Sequence, residues 1–286
     1  MKKLTIISGK GGTGKTTVAA SFASLSSNSI FADCDCDAPD LQLILKPETI
    51  EKEEYIGSAV AVRETDCSMC GKCREVCRFN AIDEDMNIIE TRCEGCGACA
   101  FICPENAIEM KREKTGTIYK SQTRFGPMVH AELKIGEEAS GKMVTQVRKR
   151  TQDIVEDEEL LIIDGSPGTG CPVIASINGV DSVLIVVEPT VTGVYDMERV
   201  IAVTKHFNIP ASVCINKYDI NEDKTREIEE VCQKQGIPVL GKLPYDDVAT
   251  EAMIAEKSVV EYSDSELSKK IKEIWEKQKS ILDEVD

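Results

Sequence analysis

The segment GKGGTGKT, Gly9 to Thr16, constrains the fold more than any other part of this sequence. It matches G-x-x-x-x-G-K-[ST], follows the apolar run KLTIIS (3–8) and leads into GKTTVAASFASLSS (14–27), whose apolar residues recur at helical spacing. A glycine loop between a strand and a helix can wrap a phosphate, because its backbone N–H groups and the helix N-terminus point at the anion. The pattern therefore predicts a nucleotide-binding loop.

Residues of this loop have expected roles. Lys15 should reach the β- and γ-phosphates, and Thr16 should help to hold Mg²⁺. The predicted nucleotide contacts in the segment are Gly11, Gly12, Thr13, Gly14, Lys15, Thr16 and Thr17.

Further apolar runs alternate with amphipathic segments on either side of a cysteine-rich middle. The other predicted strands are SIFAD (29–33), PMVHAELKI (127–135), ELLIID (159–164), SVLIVVEP (182–189), ASVCIN (211–216) and PVLGKL (238–243). Strands that alternate with helices predict an α/β fold, a parallel-sheet P-loop NTPase domain with helices on both faces. We expect this domain to comprise residues 1–56 and 113–286, with a small domain inserted over 57–112.

Two local predictions concern the return from the insertion. Residues 112–126 are polar and are expected to be irregular. Residues 140–155 should form a helix with Ser140 as its N-cap.

Composition limits the partners. Thirty-four basic and fifty acidic residues leave a formal charge of −16, which would repel a phosphate backbone, so no nucleic-acid partner is expected. The start MKKLTIISGK has too short an apolar run for a signal peptide, and no run is long enough for a membrane span, so a cytoplasmic protein is expected. The amphipathic tail from Asp264 has more acids than lysines, so we expect it to pack on its own sheet without stable membrane association.

The middle of the chain carries two copies of one cysteine pattern. CSMCGKCREVCRFNAI (67–82) and CEGCGACAFICPENAI (93–108) share the spacing C-x2-C-x2-C-x3-C and the ending NAI. Clustered cysteines in a reducing compartment more often bind metal than form disulfides. Zinc sites usually pair two C-x2-C knuckles across a longer gap, so four-cysteine runs disfavour zinc.

This spacing resembles that of bacterial two-cluster ferredoxins, in which the fourth cysteine of each run ligates the other cluster. The resemblance implies a small α+β ferredoxin-like domain with two [4Fe–4S] clusters. One cluster would use Cys67, Cys70, Cys73 and Cys103, and the other would use Cys93, Cys96, Cys99 and Cys77. The chain departs from the ferredoxin pattern at Arg78, where proline is frequent, without losing a ligand.

KGGTGKTT, with its second lysine at Lys10, resembles the deviant Walker A motif of the MinD/ParA-type ATPases, which include the nitrogenase iron protein and the Mrp-type iron–sulfur carriers. In that family the extra lysine reaches the partner's phosphates across a dimer. The resemblance implies a nucleotide-dependent homodimer, with Lys10 and Lys15 acting in catalysis.

Two acidic segments resemble the switches of the same family. In FADCDCDAPDL, Asp35 would orient the attacking water and Asp33 would be a carboxylate on the Mg²⁺ side; Asp37 and Asp40 are interpreted as turn caps. In LLIIDGSPGTG, Asp164 would bind Mg²⁺ through water and Gly168 would sense the γ-phosphate.

NKYD (216–219) follows a predicted strand where the family reads the base. The resemblance implies that the Asn216 side chain faces adenine, although N-K-x-D is also the guanine signature of GTPases. We favour ATP/ADP with Mg²⁺ and leave GTP open. LPYDD, with Pro244, is a candidate second contact to the base or ribose, and a simple loop is as good an interpretation.

Five cysteines lie outside the runs. Cys214 and Cys232 are expected to be buried small hydrophobes. Cys34 and Cys36 are interpreted as packing or redox-sensitive residues, with a metal site between dimer halves as the lesser alternative. Cys171 is expected to be a helix-start residue.

The sequence thus favours an ATPase that gates electron transfer between its clusters and an unknown redox partner. The alternative is an iron–sulfur carrier or assembly ATPase of the Mrp type. A positioning ATPase acting on DNA or membrane is the least favoured of the three.

Overall fold

Short β-branched and apolar runs form the strands of the central sheet. The computed structural model describes residues 1–64, 66–137 and 139–284. The strands are β1 (Lys2–Ile7), β2 (Ser29–Asp33), β3 (Glu48–Arg63), β4 (Ile108–Thr123), β5 (Gly126–Leu133), β6 (Leu160–Asp164), β7 (Ser182–Val187), β8 (Ala211–Asn216) and β9 (Val239–Leu243). All seven predicted strands are present, each within two residues of its expected bounds.

Helices connect most of these strands. They are α1 (Lys15–Leu25), α2 (Leu41–Leu45), α3 (Lys72–Val76), α4 (Ala98–Ile102), α5 (Gly141–Asp153), α6 (Cys171–Ile177), α7 (Val191–His206), α8 (Glu222–Gln235), α9 (Val248–Ile254), α10 (Val259–Tyr262) and α11 (Glu266–Glu284). The N-cap prediction is confirmed, because the Ser140 hydroxyl accepts a hydrogen bond from Met143 N at 3.2 Å. Among the helices that the structure describes, none combines the length and apolar composition needed to cross a bilayer.

The sheet order is β3-β4-β5-β2-β6-β1-β7-β8-β9. β1 is parallel to β6 and β7, β2 is parallel to β5 and β6, and β8 is parallel to β7 and β9. The register places Asp33 of β2 opposite Asp164 of β6. Two carboxylates therefore meet at the carboxyl edge of the sheet, where open α/β sheets bind ligands.

The C-terminal helix closes one face of this sheet. Leu267, Ile271, Ile274, Trp275 and Leu282 are buried in the same cluster as Phe22 of α1, and the Trp275 and Phe22 ring centroids lie 4.9 Å apart. The prediction that the tail packs on its own sheet is confirmed.

The prediction of an irregular segment over 112–126 is wrong. Most of it belongs to β4, which pairs with β3, a strand that the sequence does not reveal. From Glu53 onward, half-buried and exposed residues alternate along β3, but the half-buried positions include Glu53 and Gly57, so the apolar alternation that marks a strand in a sequence is missing. Cross-strand ion pairs stand in its place: Lys120 Nζ lies 2.9 Å from Glu51 and 2.7 Å from Glu53.

The chain divides into two compact units. The first comprises Met1–Glu53, Ile118–Glu132 and Glu138–Asp286, and the second comprises Glu54–Thr117 and Leu133–Glu137. The first contains the phosphate loop and most of the sheet. The second contains both cysteine runs, with a small core of its own that includes Ile82 and Ile108, the isoleucines of the two NAI endings.

Candidate nucleotide site and cysteine cavities

A cavity of about 500 Å³ lies at the carboxyl edge of the sheet in the first unit. Its size suits a small-molecule ligand. The predicted nucleotide contacts that line it are Gly11, Gly12, Thr13, Gly14, Lys15, Thr16, Thr17, Asp35, Asn216 and Pro244. Among the described residues, the lining does not include Lys10, Asp33, Asp164 or Gly168.

The phosphate loop needs glycine at two of its positions. Gly12 and Gly14 have φ of 78° and 86°, in the left-handed region that glycine adopts without strain. At Gly14 a Cβ atom would also lie 2.3 Å from Asn216 Nδ2. That nitrogen donates to the carbonyl of Thr13 at 2.8 Å, so the end of β8 supports the loop directly.

Lys15 is the buried cation of the site. Its Nζ atom lies 2.5 Å from Asp164 Oδ1 and 3.3 Å from Asp35 Oδ2. Burial opposes the charged form, but the carboxylates of Asp164, Asp35 and Asp33 outweigh it and raise the pKa of Lys15. Lys15 is therefore charged, and an incoming phosphate would compete with two carboxylates for it.

Two buried oxygens of the site lack a hydrogen-bond partner among the described residues: Thr13 Oγ1 and Asp164 Oδ2. A buried polar atom without a partner is costly, so it points to a missing ligand or water. Mg²⁺ takes oxygen ligands and usually retains several waters. A hydroxyl, a carboxylate and a charged lysine beside a glycine loop form a donor set that fits a nucleotide with Mg²⁺.

Asp33 and Asp35 differ in their surroundings. Both oxygens of the buried Asp33 accept backbone N–H groups, from Asp35 at 3.1 Å and Leu41 at 3.2 Å. These two hydrogen bonds organise the loop after β2, and burial and then the Asp164 charge raise the pKa of Asp33. Asp35 instead faces the cavity and Lys15; burial raises its pKa, and Lys15 opposes that shift.

The acids interpreted as turn caps serve other contacts. Asp37 Oδ1 accepts from Ala139 N at 2.7 Å, which ties this loop to the segment before α5. Asp40 stands at the N-cap of α2 with no side-chain cap bond among the described residues. Both also line the cavity, which their interpretation as turn caps does not include.

The Lys10 side chain contacts residues of its own chain. Its Nζ atom lies 3.4 Å from Glu188 Oε2 and 3.4 Å from Thr190 Oγ1. Glu188 also pairs with Lys217, at 2.5 Å. Gly168 has φ of 96°, and its N–H donates to the Ser8 carbonyl at 2.9 Å, so the loop after β6 is bonded to the start of the phosphate loop.

Sequence motifs reveal only some of the cavity residues that follow β8 and β9. Besides Asn216 and Pro244 they include Tyr245, Thr250 and Met253, the last two from α9. α9 carries no motif, and the neighbouring LPYDD is the sequence signal that predicts a nucleotide contact in this region. Asp219, the acid of NKYD, accepts from Tyr245 N at 2.8 Å and does not line the cavity as described.

The eight cysteines of the two runs line two small cavities in the second unit. The Cys93 cavity is lined by Cys77, Cys93, Cys96 and Cys99. The Cys67 cavity is lined by Cys67, Cys70, Cys73 and Cys103. Each run thus contributes three cysteines to one cavity and its fourth to the other.

Backbone N–H groups point at the sulfurs in matched positions. Cys77 Sγ accepts from Ala81 N at 3.4 Å, and Cys103 Sγ accepts from Ala107 N at 3.3 Å. A further N–H reaches Cys93 from Ala61 at 3.4 Å, and another reaches Cys67 from Met69 at 3.4 Å. Such bonds stabilise thiolates, so the donor set fits a group bound through sulfur. Among residues 1–64, 66–137 and 139–284, no set of three or more Cys, His, Asp or Glu side chains is arranged to hold a single metal ion.

The other cysteines have distinct environments. Cys214 and Cys232 are fully buried and Cys171 begins α6, all as predicted. Cys171 is exposed. Cys34 and Cys36 are buried, and burial raises the pKa of both thiols, so they are neutral packing residues in this chain.

Comparison with known proteins agrees with the fold and with the phosphate loop. The model of the CobQ/CobB/MinD/ParA nucleotide binding domain matches residues 4–259. An uncharacterised protein of Methanocaldococcus jannaschii is 38% identical over 284 residues, which cover 98% of this chain and 97% of that protein. An iron-sulfur cluster carrier protein of Pyrococcus horikoshii is 25% identical over 301 residues, covering 99% and 87%.

Among solved structures, the septum site-determining protein MinD of Pyrococcus horikoshii, complexed with Mg-ADP, has a similar fold. Its TM-score is 0.60 at 17% identity, with 97% of this chain and 95% of that chain covered. The family match spans most of the chain and includes the phosphate loop and the segments that contain Asp35 and Asp164. The chain therefore belongs to the CobQ/CobB/MinD/ParA family of P-loop nucleotide-binding ATPases.

Proposed function

We propose that this protein hydrolyses ATP and transfers electrons through two [4Fe–4S] clusters, with the nucleotide state controlling the transfer. One observation carries the proposal: the cysteine runs exchange their fourth members, so that each cavity has four thiols, in a chain that also has a complete phosphate loop. That exchange is the ligation pattern of two-cluster ferredoxins.

The cysteines would hold one cluster in each cavity. Cys67, Cys70, Cys73 and Cys103 would hold one, and Cys93, Cys96, Cys99 and Cys77 would hold the other. A cubane separates its ligand sulfurs more widely than a single ion does, which is compatible with thiols that are not gathered around one point. When bound, the clusters supply one-electron redox capacity; the chain supplies the thiolates, the N–H bonds to sulfur and the apolar walls.

For hydrolysis, Lys15 would bind the phosphates, and Thr16 and Asp164 would hold Mg²⁺. Asp35, which faces the cavity, would orient the attacking water, and Gly168 would report the γ-phosphate to the loop after β6. Adenine is favoured over guanine because Asp219, the acid that would bind guanine, already accepts from Tyr245 N.

Control by nucleotide would act through dimerisation. Lys10 would leave Glu188 and Thr190 and reach the phosphates bound by a second copy. The second unit begins in the chain at Glu54, soon after the loop that carries Asp35, so movement of that loop has a short covalent path to it.

A cluster carrier is the second candidate. It is favoured by the similarity to a protein named as an iron-sulfur cluster carrier, at 25% identity. In this role the clusters would be cargo that is transferred to an acceptor. The N–H bonds to four of the eight sulfurs favour retention, and for that reason we place electron transfer first.

The deciding experiment is anaerobic purification followed by iron and sulfide analysis and EPR spectroscopy. We expect about eight irons per chain for two cubanes, and about half of that in C96S. C171S is the matched control, because Cys171 is an exposed cysteine outside both runs, and it should retain the full iron content. An iron content near zero in the wild type would contradict the proposal.

Gating and transfer are then measured separately. Electron transfer to a dye acceptor should differ between ATP-bound and ADP-bound protein, and identical rates would exclude gating. Incubation with an apo-ferredoxin tests the carrier role: rapid delivery of the cluster would favour that role over electron transfer.

A further inference from the structure

The two cysteine cavities have the same scaffold and different charge, which bears on the order in which electrons would occupy them. The reduction potential of an iron–sulfur cluster depends on hydrogen bonds to its sulfurs, on solvent exposure and on nearby charge. The internal duplication allows these influences to be compared position by position.

Hydrogen bonding to sulfur is matched. In each cavity two of the four sulfurs accept a backbone N–H, at 3.4 and 3.4 Å in the Cys93 cavity and at 3.4 and 3.3 Å in the Cys67 cavity. Hydrogen bonds to sulfur therefore do not give either cavity the higher reduction potential.

Burial of the cysteines is matched as well. Cys73 and Cys99, which occupy equivalent positions, are 7% and 9% exposed. Cys70 and Cys96 are both exposed, and the remaining four cysteines are all half-buried. Solvent access therefore does not distinguish the cavities.

Charge does distinguish them. Arg63, Lys72 and Glu105 line the Cys67 cavity, whereas Glu94 is the charged residue lining the Cys93 cavity in the described structure. The duplication pairs Lys72 with Ala98, and it pairs Glu94 with Ser68. At the first pair of positions only the Cys67 cavity carries a charge, a cation, and at the second only the Cys93 cavity carries one, an anion. With Arg63 and Glu105 included, the charges of the described residues lining the Cys67 cavity are two positive and one negative, against one negative charge lining the Cys93 cavity.

Arg63 adds a cation that is fixed in place. Its guanidinium donates to the carbonyl of Asp85 at 3.0 Å and to Asn87 Oδ1 at 3.0 Å, and the described structure pairs it with no carboxylate within ion-pair distance. Positive charge stabilises the reduced cluster, which carries one more negative charge, and negative charge destabilises it.

We infer that the Cys67 cavity holds the cluster of higher potential, so that electrons enter at the Cys93 cavity and pass to the Cys67 cavity. This inference rests on the proposed function. The Cys93 cluster would take one electron from a low-potential one-electron donor, which is oxidised. It would then pass that electron to the Cys67 cluster, with iron reduced in the receiving cluster at each step and no ligand bond broken. The Cys67 cluster is then the one from which an acceptor draws electrons.

The test is a reductive titration of the anaerobic holo-protein with dithionite, followed by EPR. The variants are K72A, which removes the cation of the Cys67 cavity, and E94S, which gives the Cys93 cavity the residue found at the equivalent position of the other half. Arg63 is left unchanged, because it also binds the backbone near Met86. K149A is the control, since Lys149 is an exposed lysine of the first unit that lines neither cavity.

We expect the wild type to titrate at two potentials. K72A should lower the higher one selectively, E94S should raise the lower one selectively, and K149A should change neither. Added salt should reduce both shifts, because Lys72 and Glu94 are exposed and their charges are screened. Repulsion between two reduced clusters would also give two separate potentials, so two potentials alone do not test the inference. The test is which of the two potentials each variant shifts.

The inference is overturned if K72A shifts the lower potential, if both variants shift the same potential, or if neither shifts any while the iron content is full. A low iron content in the wild type would instead overturn the proposed function and this inference with it. The iron analysis made on each sample separates the two failures.

Discussion

At the scale of single residues, the site is defined by Asp164. One of its oxygens binds Lys15, and the other has no partner among the described residues although the residue is fully buried. Asp33, its neighbour in the sheet register, uses both oxygens on backbone N–H groups. Of this pair of carboxylates, Asp164 therefore has the oxygen available for Mg²⁺.

We predict that D164N lowers ATP hydrolysis by about 100-fold, because metal stabilisation of the developing charge is worth several kcal/mol. Phosphate release in the presence of Mg²⁺ measures the effect. D157N replaces an exposed aspartate and should hydrolyse ATP at the wild-type rate. Wild-type activity in D164N would show that Asp164 has no part in binding Mg²⁺.

His130 provides a residue-scale test of stability against pH. It is buried against Tyr119, with ring centroids 4.9 Å apart, and its Nδ1 atom has no hydrogen-bond partner among the described residues. Burial lowers the pKa of His130 from 6.5 to about 4, against a smaller opposing effect of Glu132. The folded state therefore disfavours the protonated form, and the stability from neutral His130 is present above pH 6.5 and is lost as the pH falls towards 4.

Between pH 7 and pH 4 the wild type should lose about 3 kcal/mol more unfolding free energy than H130F, which cannot titrate. Urea denaturation at the two pH values measures this difference. H206F is the matched control, because His206 is exposed, and it should follow the wild type. Equal losses in wild type and H130F would contradict the assigned direction of the pKa shift.

At the scale of elements, the two cysteine runs form matched turns with one difference. Gly71 and Gly97 precede the short helices α3 and α4 with φ of 76° and 75°. Gly95 has φ of 65°, and a Cβ atom there would lie 2.1 Å from the carbonyl oxygen of Ala59 in β3. Its equivalent in the first run is Met69, with φ of 57°, so a side chain is accepted at that turn. Backbone contact with β3, rather than the turn alone, requires glycine at position 95.

G95A should therefore destabilise the second unit far more than G97A. Both glycines have positive φ, so both variants incur conformational strain of about 1 kcal/mol, but only Gly95 meets a backbone atom. Iron retention and urea denaturation of the two variants should show a large loss for G95A and a small one for G97A. Equal losses of stability and iron in the two variants would mean that the β3 backbone shifts at Ala59 with little cost.

At the scale of the whole molecule, the chain has a nucleotide cavity in one unit and two cysteine cavities in the other. In the single chain Lys10 pairs with Glu188 and Thr190 and, among the residues described, is not part of the nucleotide cavity. Its proposed action on phosphates therefore requires a second copy.

We predict that ATP with Mg²⁺ converts the wild type to a dimer and that K10A stays monomeric while still binding nucleotide. Light scattering after size exclusion measures the mass, and a fluorescent nucleotide measures binding. K205A is a control on an exposed lysine of α7, and it should dimerise. Dimerisation of K10A to the wild-type extent would remove Lys10 from the dimer contact.

The sequence by itself determined the features that depend on neighbours in the chain. Glycines 12 and 14 before Lys15, the apolar strands of the parallel sheet and the Ser140 cap all follow from short-range patterns, and the structure has each of them. The strand β3 and most of β4 escaped detection, because cross-strand charge pairs stabilise them without the apolar alternation that marks a strand.

Only the tertiary structure decided which distant residues meet. In the fold, Asp164 and Asp35 form ion pairs with Lys15, and Glu188 forms one with Lys10. Residues of α9 line the nucleotide cavity. The fold also brings Cys77 and Cys103 each to the cavity of the opposite run, an exchange that the spacing suggested only through a resemblance. The physical reason is that contacts between residues far apart in the chain depend on strand order and register, which local patterns do not encode.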